Sequence, residues 1–175
     1  KDPNLLYFLH RGYEMAAIGI VKAQLYISER LPYPQGYDQR RMRYIYATLF
    51  ETAGHCARGS YKEFVKAGKT KEGRKKFVPN WLTNMETAAD LYSEIRSDHS
   101  AYANFYAGEA AFILFSNGND SYREIATARY SNFIRMAVNN GDYATQRKIK
   151  QATSDLEALR GNSSSPTAIQ QQNRQ

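Results

Sequence analysis

Apolar residues recur along this chain at intervals of three and four, and no stretch sustains the alternation of a half-buried strand, so the pattern predicts helix almost throughout. The first helix opens at Asp2 and Pro3, with Asp as cap and Pro in the first turn, and carries Leu5, Leu9, Ala16, Ile20, Ala23 and Ile27 along one face. The run from Leu31 to Gly36, with two prolines, ends it. A second helix from near Asp38 places Met42, Ile45, Leu49, Ala53 and Cys56 on one stripe. Gly59 then reads as an interruption. Ser60 and Glu63 have the spacing of a capping box and open a short helix ending at Gly68, after which residues 69–78 read as a basic loop.

Beyond Pro79, Leu82, Met85, Ala89, Tyr92 and Ile95 predict another helix. Ser97 or Asp98 can cap its successor, which carries Tyr102, Phe105, Tyr106, Ala110, Ile113 and Leu114. No Gly or Pro separates the two, so one long rod bent near Asp98 is the alternative. Asn117 to Asp120 is a stop and restart. The stripe Tyr122, Ala126, Tyr130, Phe133 and Ala137 follows, running up to Asn139 to Asp142. A last helix with Ile149, Ala152, Leu156 and Leu159 ends at Gly161. Short connections favour antiparallel neighbours, so the expected fold is all-α, an antiparallel helical bundle of about six helices forming one domain over residues 1–161. Stacked helical hairpins are the other arrangement, although no fixed repeat period is present. At 175 residues the chain can bury roughly 70% of its unfolded surface without metal or disulfide. The tail, 162–175, is Ser, Pro, Gln and Asn, a composition that cannot order itself, and is expected to dock in extended form on a neighbouring subunit.

Charge changes this picture. The net charge is +7, and between Arg40 and Lys76 eleven cations (Arg40, Arg41, Arg43, Arg58, Lys62, Lys66, Lys69, Lys71, Arg74, Lys75, Lys76) face only Glu51, Glu63 and Glu72. Residues 80–124 are biased the other way by Glu86, Asp90, Glu94, Asp98, Glu109, Asp120 and Glu124. Such polarity suits binding a polyanion, or pairing one copy's basic block with the next copy's acidic one. Arg40, Arg41, Arg43, Lys62, Lys66, Lys69, Lys71, Arg74, Lys75 and Lys76 are the candidate contacts to nucleic acid or an acidic partner. Tyr44, Tyr46, Tyr61, Phe64 and Phe77, interleaved with them, could stack bases of a single strand. Glu86, Asp90 and Glu94, four apart on one helix, are the candidate subunit contact. Fourteen tyrosines add amphipathic surface suited to half-buried positions and interfaces.

Catalytic patterns are sparse. Lys69 to Lys76 lacks the Walker spacing, and no Gly-x-Ser-x-Gly, His-Glu-x-x-His or dinucleotide glycine pattern occurs. His10 with Glu14 and Glu51 with His55 are each four apart, and two such helices packed together could build a metal site, but ordinary helix-surface pairing explains them as well. Cys56 is the only cysteine, which excludes an intrachain disulfide; beside His55 it invites a nucleophile, yet adjacent helical residues point about 100° apart. No catalytic residue, cofactor or metal is therefore expected. No apolar run approaches the length of a membrane span.

These features lead to the expectation of a non-enzymatic structural or assembly subunit, soluble or assembled, of a filament, tube or virion-like particle. It would be a homo-oligomer or part of a larger assembly. Two alternatives stand beside it. One is a processed, exported component of a cell-envelope secretion or surface machine, suggested by the start at Lys1 without an initiator Met. The other is a helical-bundle metalloenzyme using the His/Glu pairs.

Overall fold

Helices form where the three-and-four spacing of apolar residues predicts them, and each is held by burying that stripe against its chain neighbours. The computed structural model describes residues 2–28, 37–139 and 141–161, and all regular structure there is α-helical: α1 (Pro3–Ser28), α2 (Tyr37–Lys66), α3 (Thr70–Glu94), α4 (His99–Phe115), α5 (Tyr122–Ala137) and α6 (Tyr143–Gly161). The expected helix stop at 31–36 and the expected docking of the tail at 162–175 lie outside the described residues.

Two local readings are corrected. The break at Gly59 does not occur, because α2 runs unbroken to Lys66. Ser60 caps nothing; it is buried, and its hydroxyl donates back to the Cys56 carbonyl one turn earlier at 3.0 Å. Nor are residues 69–78 a loop, since α3 starts at Thr70 and continues through Pro79. Lys and Arg are good helix formers, so a basic run carries no loop signal. Pro79 removes one backbone hydrogen bond and costs about 3 kcal/mol in a helix interior. Phe77, Val78, Trp81 and Leu82 flank it and are buried, each contributing roughly 1.5–3 kcal/mol, so burial outweighs the proline.

Each helix packs antiparallel on the next, with α4 also touching α6. His10 of α1 meets Ala53 of α2, and Ile20 meets Tyr46. Alternate helices are also linked side by side and run parallel. Glu51 and His55 of α2 lie against His99 and Tyr106 of α4 in the same order, and Arg129 of α5 reaches Glu86 and Asp90 of α3. Tyr102 of α4 hydrogen-bonds Thr145 of α6, while Tyr7 of α1 packs edge-on against Phe77 of α3, ring centroids 5.5 Å apart. The odd helices thus form one layer and the even helices a second. This is the expected all-α antiparallel helical bundle, its six described helices packed in two layers.

The main core runs from α2 to α6 through Trp81, Met85, Phe105, Tyr130, Phe133 and Leu159. Two tyrosines are buried against the expectation of interface positions, Tyr130 in this core and Tyr92 in a second cluster with Ala47, Ala88 and Ala103. Tyr92 and Tyr130 are fully buried, and their hydroxyls donate to Glu51 at 2.8 Å and Asp155 at 2.7 Å, so the polar tip costs little inside.

The α3–α4 boundary settles the choice between two helices and one bent rod in favour of two. Arg96 takes a left-handed conformation, φ 53°. Its amide donates to Ser93 O at 3.0 Å and the Ser97 amide to Tyr92 O at 2.9 Å, closing α3 with paired reverse bonds. Asp98 makes no side-chain cap. A non-glycine residue in this region is strained by about 1–2 kcal/mol, part of which Gly would return as unfolded-state entropy. Arg96→Gly is therefore expected to stabilise the fold by about 0.5–1 kcal/mol, raising Tm by about 1–4 °C in a thermal melt.

Candidate polyanion-binding surface

The basic block, continuous in sequence, is divided by the fold. Arg40 and Lys66 stand near opposite ends of α2, about 39 Å apart at about 1.5 Å per residue. The Arg40, Arg41 and Arg43 group lies beside the C-terminal end of α3. Arg40 donates to the Ile95 carbonyl at 3.0 Å and Arg43 pairs with Glu94 at 3.4 Å, so two of the three neutralise the negative end of a helix. Gln39, Arg40, Arg43, Glu94, Ile95 and Arg96 line a shallow recess there.

The other end is the α2–α3 corner. Gly68, φ 73°, makes the turn: its amide donates to Val65 O at 3.0 Å and the Lys69 amide to Phe64 O at 2.9 Å. Gly73 then lets α3 close on α2, because a Cβ there would sit 2.5 Å from the Phe64 Cβ. Within this hairpin Lys62, Lys66, Lys69, Lys71, Arg74, Lys75 and Lys76 crowd together against only Glu63 and Glu72. Lys66 pairs with Glu63 at 2.9 Å. Lys76 lies over Tyr7, Phe77 and Phe64, 4.8 to 5.8 Å from their centroids, so its charge is placed by aromatic faces rather than by a carboxylate. Lys69, Lys71 and Lys75 are exposed and form no ion pair among the described residues. Burial, and then the charge of Arg58, hold the Lys62 ammonium below its ordinary pKa, with Glu109 opposing and Lys66 adding to the effect.

The aromatics expected as a stacking platform are mostly turned inward. Phe64 and Phe77 are buried against each other, Tyr46 is buried, and Tyr61 lies half-buried beside Trp81. Tyr44 alone among them is exposed, at the far end of α2. The corner therefore offers cations without open rings.

The acidic candidates are engaged within the chain. Arg129 pairs with Glu86 at 3.2 Å and Asp90 at 2.7 Å, and Glu94 holds Arg43. Burial disfavours the Arg129 cation, but Asp90 and Glu86 together outweigh it and raise the pKa. Glu109 accepts two hydrogen bonds from Arg58, at 2.8 and 3.0 Å.

A second cluster was only half visible in the sequence. Glu51 has the expected His55 at 3.7 Å, but also the Tyr92 hydroxyl at 2.8 Å and His99 at 4.0 Å, brought from α3 and the start of α4. His99 stacks on Tyr92, and Tyr44 packs edge-on against both. Burial pushes the Glu51 carboxyl up, but the bonds from His55 and Tyr92 and the histidine charges outweigh it, so the group stays below its ordinary pKa. Among the described residues no three His, Cys, Asp or Glu side chains converge to hold a metal ion. Cys56 is half-buried, and burial pushes its thiol up, away from a reactive thiolate.

His10 does not join Glu51. It is fully buried, with Nδ1 donating to the Ala53 carbonyl at 3.0 Å and Glu14 4.0 Å from Nε2. Arg11, which pairs with the same Glu14, is the cation beside it. Burial holds its pKa below the ordinary 6.5, against the opposing effects of the Ala53 carbonyl and Glu14.

No helix among the described residues is long and apolar enough to cross a membrane. No family model matches the chain, and comparison with curated proteins and with solved structures returns no match.

The buried imidazole makes a pH prediction. With the folded pKa below 6.5, both states are neutral above that value and its contribution to stability is complete. As pH falls below 6.5, the unfolded chain takes up a proton that the folded one refuses, so stability declines. Urea midpoints measured between pH 7 and pH 5 should fall less in His10→Asn, which keeps a donor for Ala53 but cannot titrate, than in the parent.

Proposed function

We propose that this chain is a non-catalytic helical assembly subunit that holds a polyanion, the phosphate backbone of a nucleic acid, at its α2–α3 corner. The observation that carries this reading is an asymmetry of neutralisation. Glu86, Asp90, Glu94 and Glu109 already have arginine partners in the same chain, whereas Lys69, Lys71 and Lys75 project from one corner with no ion pair among the described residues. A second copy's acidic helix is thus a poorer complement to the corner than an external row of phosphates. Inward-facing Phe64 and Phe77 favour backbone contact over base stacking, and hence binding without sequence preference.

The reading is tested by anisotropy titrations of the full chain with two DNA duplexes of unrelated sequence, at salt from about 50 to 200 mM. Affinity is expected to be equal for the two duplexes and to fall linearly on a log–log plot. Combining Lys69→Gln, Lys71→Gln and Lys75→Gln should reduce the magnitude of the slope by about 3, one unit per lost phosphate contact. Arg40→Gln with Arg43→Gln should change it less, since both cations are held by α3. An unchanged slope in the triple variant would remove the corner as the contact.

A further inference from the structure

The two ends of the helical stack are finished differently. The exposed residues of α6 include the polar Arg147, Lys150, Gln151, Ser154 and Glu157, with Tyr143 the one large apolar side chain among them. At the other end α1 is apolar on two sides. One side buries His10 and Ala17 against α2. The other leaves Leu5 58%, Phe8 69%, Leu9 44% and Met15 61% exposed. At about 100° per residue these four, with Gly12, Ala16 and Gly19, fall within an arc of about 120°. Neither Gly12 nor Gly19 has anything within 4 Å of where a Cβ would stand.

We propose that this face pairs with the same face of a second copy, α1 against α1, antiparallel about a twofold axis at Gly12. This extends the assembly part of the function proposed above and is independent of its polyanion part.

The order of side-chain sizes along the face selects the occupant and the direction. Its N-terminal half is large (Leu5, Phe8, Leu9), and its C-terminal half ends in Ala16 and Gly19. In an antiparallel pair centred on Gly12, Leu5 of each copy lies level with Gly19 of the other, and Phe8 and Leu9 lie level with Met15 and Ala16. Large side chains then enter the space over small ones, and Phe8 gains a thioether neighbour. A parallel pair would set Phe8 on Phe8 and leave Gly19 facing Gly19. Self-complementarity of this kind is what a twofold interface demands. The four large side chains expose roughly 500 Å² per copy, the size at which an apolar patch marks an interaction surface. Pairing them buries roughly 1,000 Å² in total, about the threshold for a specific interface, so association should depend on concentration.

Sedimentation equilibrium of the full chain should show a monomer–dimer equilibrium. Phe8→Glu should be monomeric with an unchanged circular dichroism spectrum, since Phe8 adds little to the fold of one copy. In a Cys56→Ser background, Gly12→Cys should oxidise to a disulfide-linked dimer. Leu5→Cys should not, because its two copies would lie about 21 Å apart along the pair, beyond disulfide reach. A chain that stays monomeric at high concentration, including one that instead binds lipid vesicles through this face, would overturn the proposal. So would a dimer that survives Phe8→Glu, or crosslinking at both positions, which indicates parallel pairing. The Lys69, Lys71 and Lys75 variant should remain dimeric, so loss of pairing and loss of polyanion binding are read separately.

Discussion

The fold turns on one guanidinium. Arg58 of α2 lies between the ring of Trp81, 5.5 Å away on α3, and that of Tyr106, 4.8 Å away on α4, and makes a two-point hydrogen-bonded pair with Glu109. It therefore joins three successive helices and both layers. Each charged group is about one-fifth exposed, which lightens the desolvation cost that fully buried pairs incur. The planar fork suits this place better than an ammonium would, because it can stack on rings and grip a carboxylate together. Among the described residues, the other polar and ring contacts between α2 and α4 are those around Glu51 and His55. The position of the Lys corner depends on the same α2, whose far end it occupies.

That dependence explains why charge counted along the chain is a poor map of charge in space. Arg58, Arg43 and Arg40 belong to the basic block by composition, yet each is committed inside the fold, to Glu109, Glu94 and the Ile95 carbonyl. The acidic helix is likewise committed, mainly to Arg129, a residue outside either block. What remains uncompensated is narrower than the sequence suggested and sits on a helical corner instead of a loop.

Element existence and order were legible because the stripes, such as Leu82, Met85, Ala89 and Tyr92, are long and periodic. The misreadings came from local signals that tertiary packing overrode. Ser60 and Glu63 have capping spacing, but Ser60 is buried in mid-helix. Pro79 looked like a start, yet the apolar pair before it needed helical presentation. Arg96 gave no turn signal, since only glycine and asparagine advertise the left-handed region. The Glu51–His55 pair was visible from its spacing; Tyr92 and His99 were not, being 41 and 48 positions from Glu51 in sequence and adjacent to it only through the α3–α4 turn. Arg129 had no marker at all, because an arginine on a mixed helix face becomes distinctive only when its partners are known.

The packing of each helix on its immediate chain neighbours bears on how the molecule forms. Contacts close between segments that follow one another, so little loop-closure entropy must be lost before a contact is made, and rapid folding is the expected result. Growth can begin at any hairpin with enough apolar surface, and those that include α3, with Trp81, Met85 and Phe77 fully buried, are well supplied. Outer helices then add one at a time. Among the described helices α1 packs chiefly on α2, and α6 only lightly on α5 and α4, so both should exchange their amide hydrogens at lower opening free energy than α3 and α4.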